Sequence, residues 1–485
     1  MIKKIVTIGM GVLLVVFGLG ASQVSKEDSR IQECINLIQT WIKAQIDYNN
    51  IPGMSISIVY DQDILWTQGF GFADRDKKIK AQPSTIYSIC SISKLFTSIS
   101  VMQLRDKGKI DLDEPIKTYL SWFEIQDKYP KAPEITLRRI LTHSSGLPRE
   151  SAYPYWIGPD YPFPTLEEIK KKISSQEELY PGATYFQYSN LGMALAGHIV
   201  GEVSGIPYDQ YVEENILNPL GLENTSPEIP LHKRNGQLAT GYSGKLREGG
   251  RKHIPEYQVR GIAPAAGFAS TVLDLGRFAS WQFRLLENDE FEILDPYTLR
   301  EMHRVHWVDP DWDTYWGLGF SVSRRGDKTF VGHGGSCPGY RSQLLLCPKD
   351  KTAVVVMTNA SDVSPRDSAH EIFDIITPAI SKVLEKPDET EAHDPDLEKY
   401  TGRYIRPIGG EIQVLIHNGD LAVLYLPTDH PLSSLIHLKR VEENTWRRIR
   451  EDGGLGEKIE FEKDEKGRVT RMIRFSQYAL RVQEK

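Results

Sequence analysis

The stretch 91–94 reads Ser-Ile-Ser-Lys and opens a helical run that continues to about Asp106 and stops at Gly108. Ser91 is the only serine in the chain with a lysine three residues later. Residues three apart on a helix lie on the same face, so the hydroxyl of Ser91 and the amine of Lys94 can touch. A serine hydroxyl is a weak nucleophile until a neighbouring base takes its proton, and lysine can be that base if burial or nearby positive charge lowers its pKa. The spacing therefore predicts a nucleophile and its base at the start of one helix.

Two later motifs carry polar side chains at the edges of regular structure. Tyr-Ser-Asn at 188–190 directly precedes a predicted helix over 191–203, which Gly205 closes. His-Gly-Gly-Ser at 333–336 lies within 315–357, where apolar runs separated by glycines predict strands. Taken singly, Ser91 could be a helix N-cap and Tyr188 a core aromatic residue. A purely structural interpretation of all three motifs would require several independent coincidences, so we favour the functional one.

These three motifs, in this order, resemble the serine β-lactamase and penicillin-binding superfamily. The most similar branch contains the class C β-lactamases, DD-peptidases and esterases, and segments 140–148 and 264–271 extend the likeness, which covers about residues 28–385. The resemblance implies an α+β fold: a β-lactamase/transpeptidase-like domain with an antiparallel sheet flanked by helices and a mainly helical subdomain. It also implies that the chain needs no metal ion and no cofactor.

The resemblance implies roles for the three catalytic positions. Ser91 would attack a carbonyl and become acylated, and Lys94 would accept its proton. Tyr188 would pass a proton to the leaving group and later activate water. The backbone N–H groups of Ser91 and Ser336 would form the oxyanion hole, where each donor is typically worth about 3 kcal/mol.

The resemblance also implies substrate-binding positions. Asn190 would donate to an amide carbonyl of the substrate, and Gly334 and Gly335 would let the substrate backbone approach the strand closely. His333 stands where β-lactamases of this group usually have the lysine of Lys-Thr-Gly, and is more like the DD-peptidases and D-aminopeptidases. Because the charge of a histidine near neutral pH is conditional, we expect a weaker grip on a substrate carboxylate.

The expected function takes account of the histidine at 333 in place of the usual lysine. We expect a serine hydrolase that acts through an acyl-enzyme on small amide, ester or D-amino-acid peptide substrates, with a β-lactamase as the alternative. The alternative from another class is a non-catalytic binder or sensor of cell-wall fragments. Such a binder would have no need of a general base.

The amino terminus predicts export. Lys3 and Lys4 precede an apolar run over 5–19, which small residues at 20–22 follow. This pattern over residues 1–22 is typical of a secretory signal peptide, with an uncleaved membrane anchor as the alternative. We therefore expect the protein in the periplasm or outside the cell.

Composition excludes two classes of protein. The 485 residues are 40% hydrophobic and 10% aromatic, which is ample for a packed core and unlike a disordered chain. With 58 Lys and Arg against 65 Asp and Glu, the net charge is −7, so no basic excess is present to bind nucleic acid. The expected partners are small-molecule or short peptide substrates.

The sequence predicts a separate domain at the carboxyl terminus. An acidic, proline-containing linker over 386–395 leads into 396–485, where Asn418-Gly419 between two apolar runs is a strong hairpin signal. Further strand-like runs at 459–463, 468–475 and 478–482 predict a small antiparallel β-barrel or sandwich.

For two cysteines and one histidine, we rank structural interpretations above functional ones. Cys337 and Cys347 are expected to be unpaired strand residues, and His143 is expected to fix a turn through Ser144 or Ser145. The loop 152–164, rich in Tyr, Pro and Trp, is expected to line the mouth of the cleft, with surface packing as the alternative.

Overall fold

The computed structural model describes residues 24–152, 154–233, 236–386 and 393–483. The segment 1–22, for which export is predicted, lies outside the described residues, as does most of the predicted linker. Within the described ranges, no helix is both long and apolar enough to cross a bilayer.

The helices and strands follow one another from residue 29 to residue 481. The helices are α1 (Ser29–Tyr48), α2 (Ser93–Asp106), α3 (Leu137–Leu141), α4 (Leu166–Ile173), α5 (Asn190–Ser204), α6 (Tyr208–Val212), α7 (Ala263–Ala266), α8 (Val272–Asn288), α9 (Pro296–His303) and α10 (Pro365–Glu385). The first strands are β1 (Gly53–Tyr60), β2 (Asp63–Asp74), β3 (Ile79–Lys80), β4 (Tyr87–Ser88), β5 (Ala269–Ser270), β6 (Trp307–Val308), β7 (Tyr315–Trp316), β8 (Ser321–Arg325), β9 (Lys328–Cys337), β10 (Tyr340–Cys347) and β11 (Thr352–Thr358). The remaining strands are β12 (Gly402–Ile405), β13 (Glu411–His417), β14 (Asp420–Leu426), β15 (Leu435–Glu442), β16 (Thr445–Ile449), β17 (Leu455–Lys463), β18 (Val469–Arg474) and β19 (Gln477–Arg481).

One nine-stranded antiparallel sheet organises the first domain, in the order β3-β2-β1-β11-β10-β9-β8-β7-β6. The chain places β11 beside β1, so the amino-terminal hairpin and the late strands share one sheet. Every residue of β11 is buried, as expected of a central strand that is covered on both faces.

Helices cover both faces of this sheet. The apolar residues of α1, which recur at helical spacing, pack with α10 and one sheet face in a single hydrophobic cluster. On the other face α8 packs against β1 and β11, and α2, α5 and α7 pack against one another as a helical subdomain. The predicted α+β, β-lactamase/transpeptidase-like architecture is therefore confirmed.

The last eight strands form a closed barrel, β12 to β19, in which β19 pairs back with β12. Asn418 and Gly419 form the predicted hairpin turn between β13 and β14, with φ of 54° and 79°. Positive φ at both positions is what a type I′ turn requires, and asparagine and glycine adopt it most readily. The predicted β-barrel is confirmed.

The barrel packs on α1 and α10. Trp41 of α1 donates from Nε1 to the carbonyl of Thr428 at 2.9 Å, and Glu33 accepts from the backbone N–H of Gly419 at 3.1 Å. Apolar barrel residues such as Leu424 continue the cluster around these helices. These contacts put the barrel on the sheet face opposite the helical subdomain.

Candidate active site

Ser91 lies in a single 3₁₀ turn, Cys90–Ile92, that leads directly into α2. Cys90 has a φ of +52°, a left-handed conformation that costs a non-glycine residue roughly 1–2 kcal/mol. The carbonyl of Ile89 accepts from the hydroxyl of Ser342 on β10 at 3.0 Å, which ties the turn to the sheet. The turn thus presents a partly exposed serine from a fully buried support.

Lys94 is completely buried one turn after Ser91. Its Nζ lies 3.1 Å from Ser91 Oγ and donates to Asn190 Oδ1 at 2.8 Å and to the carbonyl of Ala265 at 2.7 Å. Burial lowers the pKa of Lys94 to about 7, although the carboxylate of Glu150 raises it. With two N–H groups held by fixed acceptors, the lone pair of the neutral amine faces Ser91.

Tyr188 completes the group around Ser91. Burial raises the pKa of Tyr188, and a hydrogen bond from the Ser91 side chain opposes that rise. Lys94 Nζ lies 4.8 Å from the centroid of the Tyr188 ring, and the guanidinium carbon of Arg149 lies 4.9 Å from it. Tyr188 is therefore a neutral phenol near Ser91 at neutral pH and can donate a proton there.

The sequence predicted that His143 fixes a turn through Ser144 or Ser145, and this prediction is wrong. Its ring packs on that of Tyr188 with 4.2 Å between centroids, and its Nδ1 accepts from the backbone N–H of Ser189 at 3.2 Å. Burial holds the pKa of His143 well below its usual value, so the ring is neutral and can accept. The hydroxyl of Ser144 pairs with that of Thr142 instead. His143 thus positions the Tyr188 segment.

Asn190 joins Lys94 to a residue that the sequence analysis missed. Its Oδ1 accepts from Lys94, and its Nδ2 donates to Glu150 Oε1 at 2.6 Å. The other carboxylate oxygen of Glu150 accepts from the hydroxyl of Tyr155. The predicted contact of Asn190 with a substrate carbonyl stays a prediction, and in this structure its amide orients the lysine. Glu150 lies two positions after the 140–148 segment, but no spacing pattern marks it.

The His333–Ser336 segment forms an open edge beside Ser91. The pairing of β8 with β9 ends at Gly332, so within the described residues the later part of β9 has no strand on that side. A Cβ on Gly335 would lie 2.2 Å from the carbonyl oxygen of Ile89. Glycine is therefore required for the strand to approach the turn that carries Ser91. Ser336 follows at the exposed end, where its N–H can face a bound carbonyl.

His333 is buried, with 4% of its surface exposed, and its ring is neutral. Nδ1 donates to the carbonyl of Gly334 at 2.6 Å, so Nε2 is left as an acceptor. Burial, together with the charge of Lys94, lowers the pKa of His333 to about 3. The positive charge that the sequence analysis allowed for on His333 is therefore absent at neutral pH.

In the aromatic loop over 152–164, two rings that were expected at the mouth of the cleft lie in the core instead. Tyr155 and Phe163 are buried and pack on each other with 4.9 Å between ring centroids. Phe163 also stacks on Tyr257, at 5.7 Å. These two rings pack in the main hydrophobic core, which is neither the expected wall of the cleft nor the alternative of surface packing.

The two cysteines predicted to be unpaired and two histidines three residues apart, His303 and His306, make structural contacts. Cys337 and Cys347 are buried free thiols, as expected. His303 Nε2 contacts Gln282 Oε1 at 3.0 Å, and His306 contacts a backbone carbonyl. Among the described residues, no group of three or more His, Cys, Asp or Glu side chains is arranged to hold a metal ion.

Two relatives match about two thirds to three quarters of this chain. Beta-lactamase-like protein 2 of Dictyostelium discoideum is 29% identical over 369 residues, which are 75% of this chain and 64% of that protein. Protein flp of Staphylococcus aureus (strain MW2) is 26% identical over 325 residues, 66% of this chain and 62% of that protein. The chain thus spans less than two thirds of the length of either relative.

A solved structure supports the same relationship over most of the chain. The octameric penicillin-binding protein homologue from Pyrococcus abyssi superimposes with a TM-score of 0.61 at 25% identity, covering 92% of this chain and all of that one. The family model described as Beta-lactamase matches residues 38–376, and a model for a domain of unknown function, DUF3471, matches residues 386–484. The first of these matches covers more than half of the chain and contains Ser91, Lys94, Tyr188 and His333, and the chain belongs to the Beta-lactamase family.

Proposed function

We propose that this protein is an exported serine hydrolase that forms an acyl-enzyme on Ser91 with small amide, ester or D-amino-acid peptide substrates. The observation that carries the proposal is the 3.1 Å contact between Ser91 Oγ and the buried amine of Lys94. Burial brings the pKa of that lysine to about 7, so a substantial fraction of it is neutral at neutral pH. The proposal of export depends on the pattern over residues 1–22.

In the first step, Lys94 Nζ takes the hydroxyl proton of Ser91 while Oγ attacks the substrate carbonyl carbon. The carbonyl π electrons move to oxygen, and the N–H groups of Ser91 and Ser336 receive the oxyanion. The hydrogen bonds from Lys94 to Asn190 and Ala265 keep the amine in place as it becomes charged. The product of this step is a tetrahedral adduct and a protonated lysine.

In the second step, the adduct collapses and the leaving group departs with a proton. Tyr188 is a neutral phenol that contacts Ser91, so it can donate that proton and recover one from Lys94. Water then attacks the acyl carbonyl carbon and loses a proton through Tyr188 to Lys94. The bond from that carbon to Ser91 Oγ breaks, and Oγ takes up the proton. This returns Ser91 to its starting state and releases the acid.

We favour amides and esters over β-lactams as substrates because of His333. A lysine at this position would offer a permanent cation, whereas His333 is buried and neutral. The alternative of a non-catalytic binder is disfavoured by Lys94, because keeping a buried amine at a lowered pKa is costly and serves no purpose in binding alone.

The test is labelling by a broad serine-reactive phosphonate probe, followed by intact mass measurement. We expect one adduct on the parent protein, one on a Ser433→Ala variant that lacks an exposed barrel serine, and none on Ser91→Ala. A folded parent protein without an adduct, or an adduct retained by Ser91→Ala, would contradict the proposal.

A further inference from the structure

Two buried thiols lie behind the proposed oxyanion hole. Cys90 directly precedes Ser91, and Cys337 directly follows Ser336. Each cysteine thus adjoins one of the two residues whose N–H groups would receive the oxyanion. Ser88 Oγ lies 3.7 Å from Cys90 Sγ and 4.0 Å from Cys337 Sγ, and the exposed fractions of the two cysteines are 0% and 3%. The two thiols therefore share a hydroxyl neighbour in the core behind the hole.

The two thiols also contact each other. Burial raises the pKa of the Cys90 thiol, and a hydrogen bond with the Cys337 thiol raises it further. Their main chains run close together, because a Cβ on Gly335 would lie 2.2 Å from the carbonyl oxygen of Ile89. Gly335 is two positions before Cys337, and Ile89 is one position before Cys90. A disulfide joins Cα atoms about 4.4–6.8 Å apart, and the close approach of β9 to the turn that carries Ser91 favours such a separation.

The other two cysteines are placed differently. Cys34 lies on α1, where its thiol donates to a backbone carbonyl of α10 at 3.4 Å. Cys347 ends β10, whereas Cys337 pairs with Tyr340 at the start of that strand. Because a strand rises about 3.3 Å per residue, the two ends of β10 are roughly 20 Å apart. Cys337 therefore cannot reach Cys347, and its thiol partner is Cys90.

We propose that Cys90 and Cys337 form a disulfide when the chain folds under oxidising conditions, and that this bond clamps the turn that carries Ser91 to β9. The bond would adjoin both halves of the oxyanion hole without occupying the cleft. The proposed export would bring the chain to a compartment that holds the necessary oxidants.

The oxidant is a small disulfide such as oxidised glutathione. One cysteine thiolate attacks it, so that a mixed disulfide forms and one thiolate leaves. The second cysteine thiolate attacks the protein sulfur of the mixed disulfide, and the other thiolate leaves. The two cysteines lose two electrons and two protons, which the two leaving thiolates carry away as thiols. Burial makes the thiols of the folded protein slow to react, so the bond forms before the core closes.

The first test folds the denatured chain in a mixture of reduced and oxidised glutathione, with folding in dithiothreitol as the control. Free cysteines are then alkylated with iodoacetamide under denaturing conditions and counted by intact mass. We expect two alkylated cysteines after oxidative folding and four after reductive folding. Peptide mapping should find Cys90 and Cys337 in the linked pair. Four free thiols in the oxidatively folded protein, or a bond that involves Cys34 or Cys347, would overturn the proposal.

Single variants identify the pair independently. Cys347→Ser removes a cysteine outside the pair, so it should keep the bond and leave one free thiol after oxidative folding. Cys90→Ser and Cys337→Ser should each lose the bond and leave three free thiols. Two variants are used so that the result does not depend on how well either position tolerates serine. A bond that persists in both of them would mean that the linked cysteines are different ones.

The clamp also predicts a difference in stability. The bond would close a loop of about 250 residues, and closing a longer loop removes more entropy from the unfolded chain. We expect the oxidised protein to unfold several degrees above the reduced protein. This gap should persist in Cys347→Ser and vanish in Cys337→Ser. Because the bond lies behind the hole, the phosphonate should label Ser91 in the oxidised form as it does in the reduced form. Equal unfolding temperatures, or loss of labelling in the oxidised form alone, would contradict a clamp.

Discussion

Lys94 and Glu150 are joined through a single side chain, that of Asn190, with hydrogen bonds of 2.8 Å and 2.6 Å on its two sides. The carboxylate raises the pKa of the lysine while burial lowers it. The side-chain amide of Asn190 therefore links the partly exposed carboxylate of Glu150 to the buried amine of Lys94.

We expect Glu150→Gln to lower the pKa of Lys94. The neutral amide keeps an acceptor for Asn190 but removes the negative charge that stabilises the ammonium form. Activity requires the neutral amine and is lost as pH falls through the lysine pKa, so the acidic limb of the kcat/KM profile should move to lower pH. The measurement is this profile for an ester substrate in both proteins. Glu167→Gln, on α4, is the control, and a limb that stays in place or moves upward would contradict the coupling.

Gly335 and Gly334 should respond differently to a methyl group. A Cβ at Gly335 would lie 2.2 Å from the backbone oxygen of Ile89, whereas at Gly334 it would lie 3.0 Å from the side-chain oxygen of Gln343. A flexible side chain can move aside and a backbone carbonyl in the Ser91 turn cannot do so freely. We expect Gly335→Ala to destabilise the fold by about 1–3 kcal/mol and to slow phosphonate labelling.

Thermal unfolding and labelling rates of the two alanine variants check this expectation. Gly334→Ala should stay close to the parent protein in unfolding temperature. Equal behaviour of the two variants would mean that the close approach of β9 to the nucleophile turn has no energetic consequence.

Trp41 should matter for stability and not for chemistry. It is 3% exposed on α1 and donates to Thr428 of the barrel, on the sheet face away from Ser91. Truncating a buried tryptophan costs about 3–5 kcal/mol, so we expect Trp41→Ala to lower the unfolding temperature by several degrees. Below that temperature the rate at which the phosphonate labels Ser91 should be unchanged.

The matched control is Tyr297→Ala, which removes an aromatic ring that is 72% exposed and should leave both quantities unchanged. A slower labelling rate in folded Trp41→Ala would show that the barrel interface reaches the site, contrary to its position in the fold.

Local patterns predicted the parts of this molecule that local physics determines. Spacing alone placed Ser91 beside Lys94, and Asn418-Gly419 predicted the barrel hairpin because both positions need positive φ. Strands β15 and β16 were not predicted, since Thr445–Ile449 contains two adjacent arginines and shows no clear alternation.

Long-range contacts determined what the sequence did not reveal. Glu150 acquires its importance only through Asn190, 40 positions later. The neutral state of His333 depends on burial by elements distant in the chain. The aromatic loop that contains Tyr155 was expected at the cleft because aromatic composition does not distinguish a ligand wall from a core. In the structure, the neighbouring helical subdomain provides the space that these rings fill.

The central claim is that Lys94 is the base for Ser91, and the pH dependence of phosphonate labelling tests it most directly. The second-order rate constant for labelling, followed by intact mass, should rise with pH through an apparent pKa near 7, the value that burial gives to Lys94. In Lys94→Ala the rate should fall by at least about a hundredfold, as expected on loss of a positioned base. A labelling rate on Ser91 that is independent of pH, or that Lys94→Ala retains, would contradict the account.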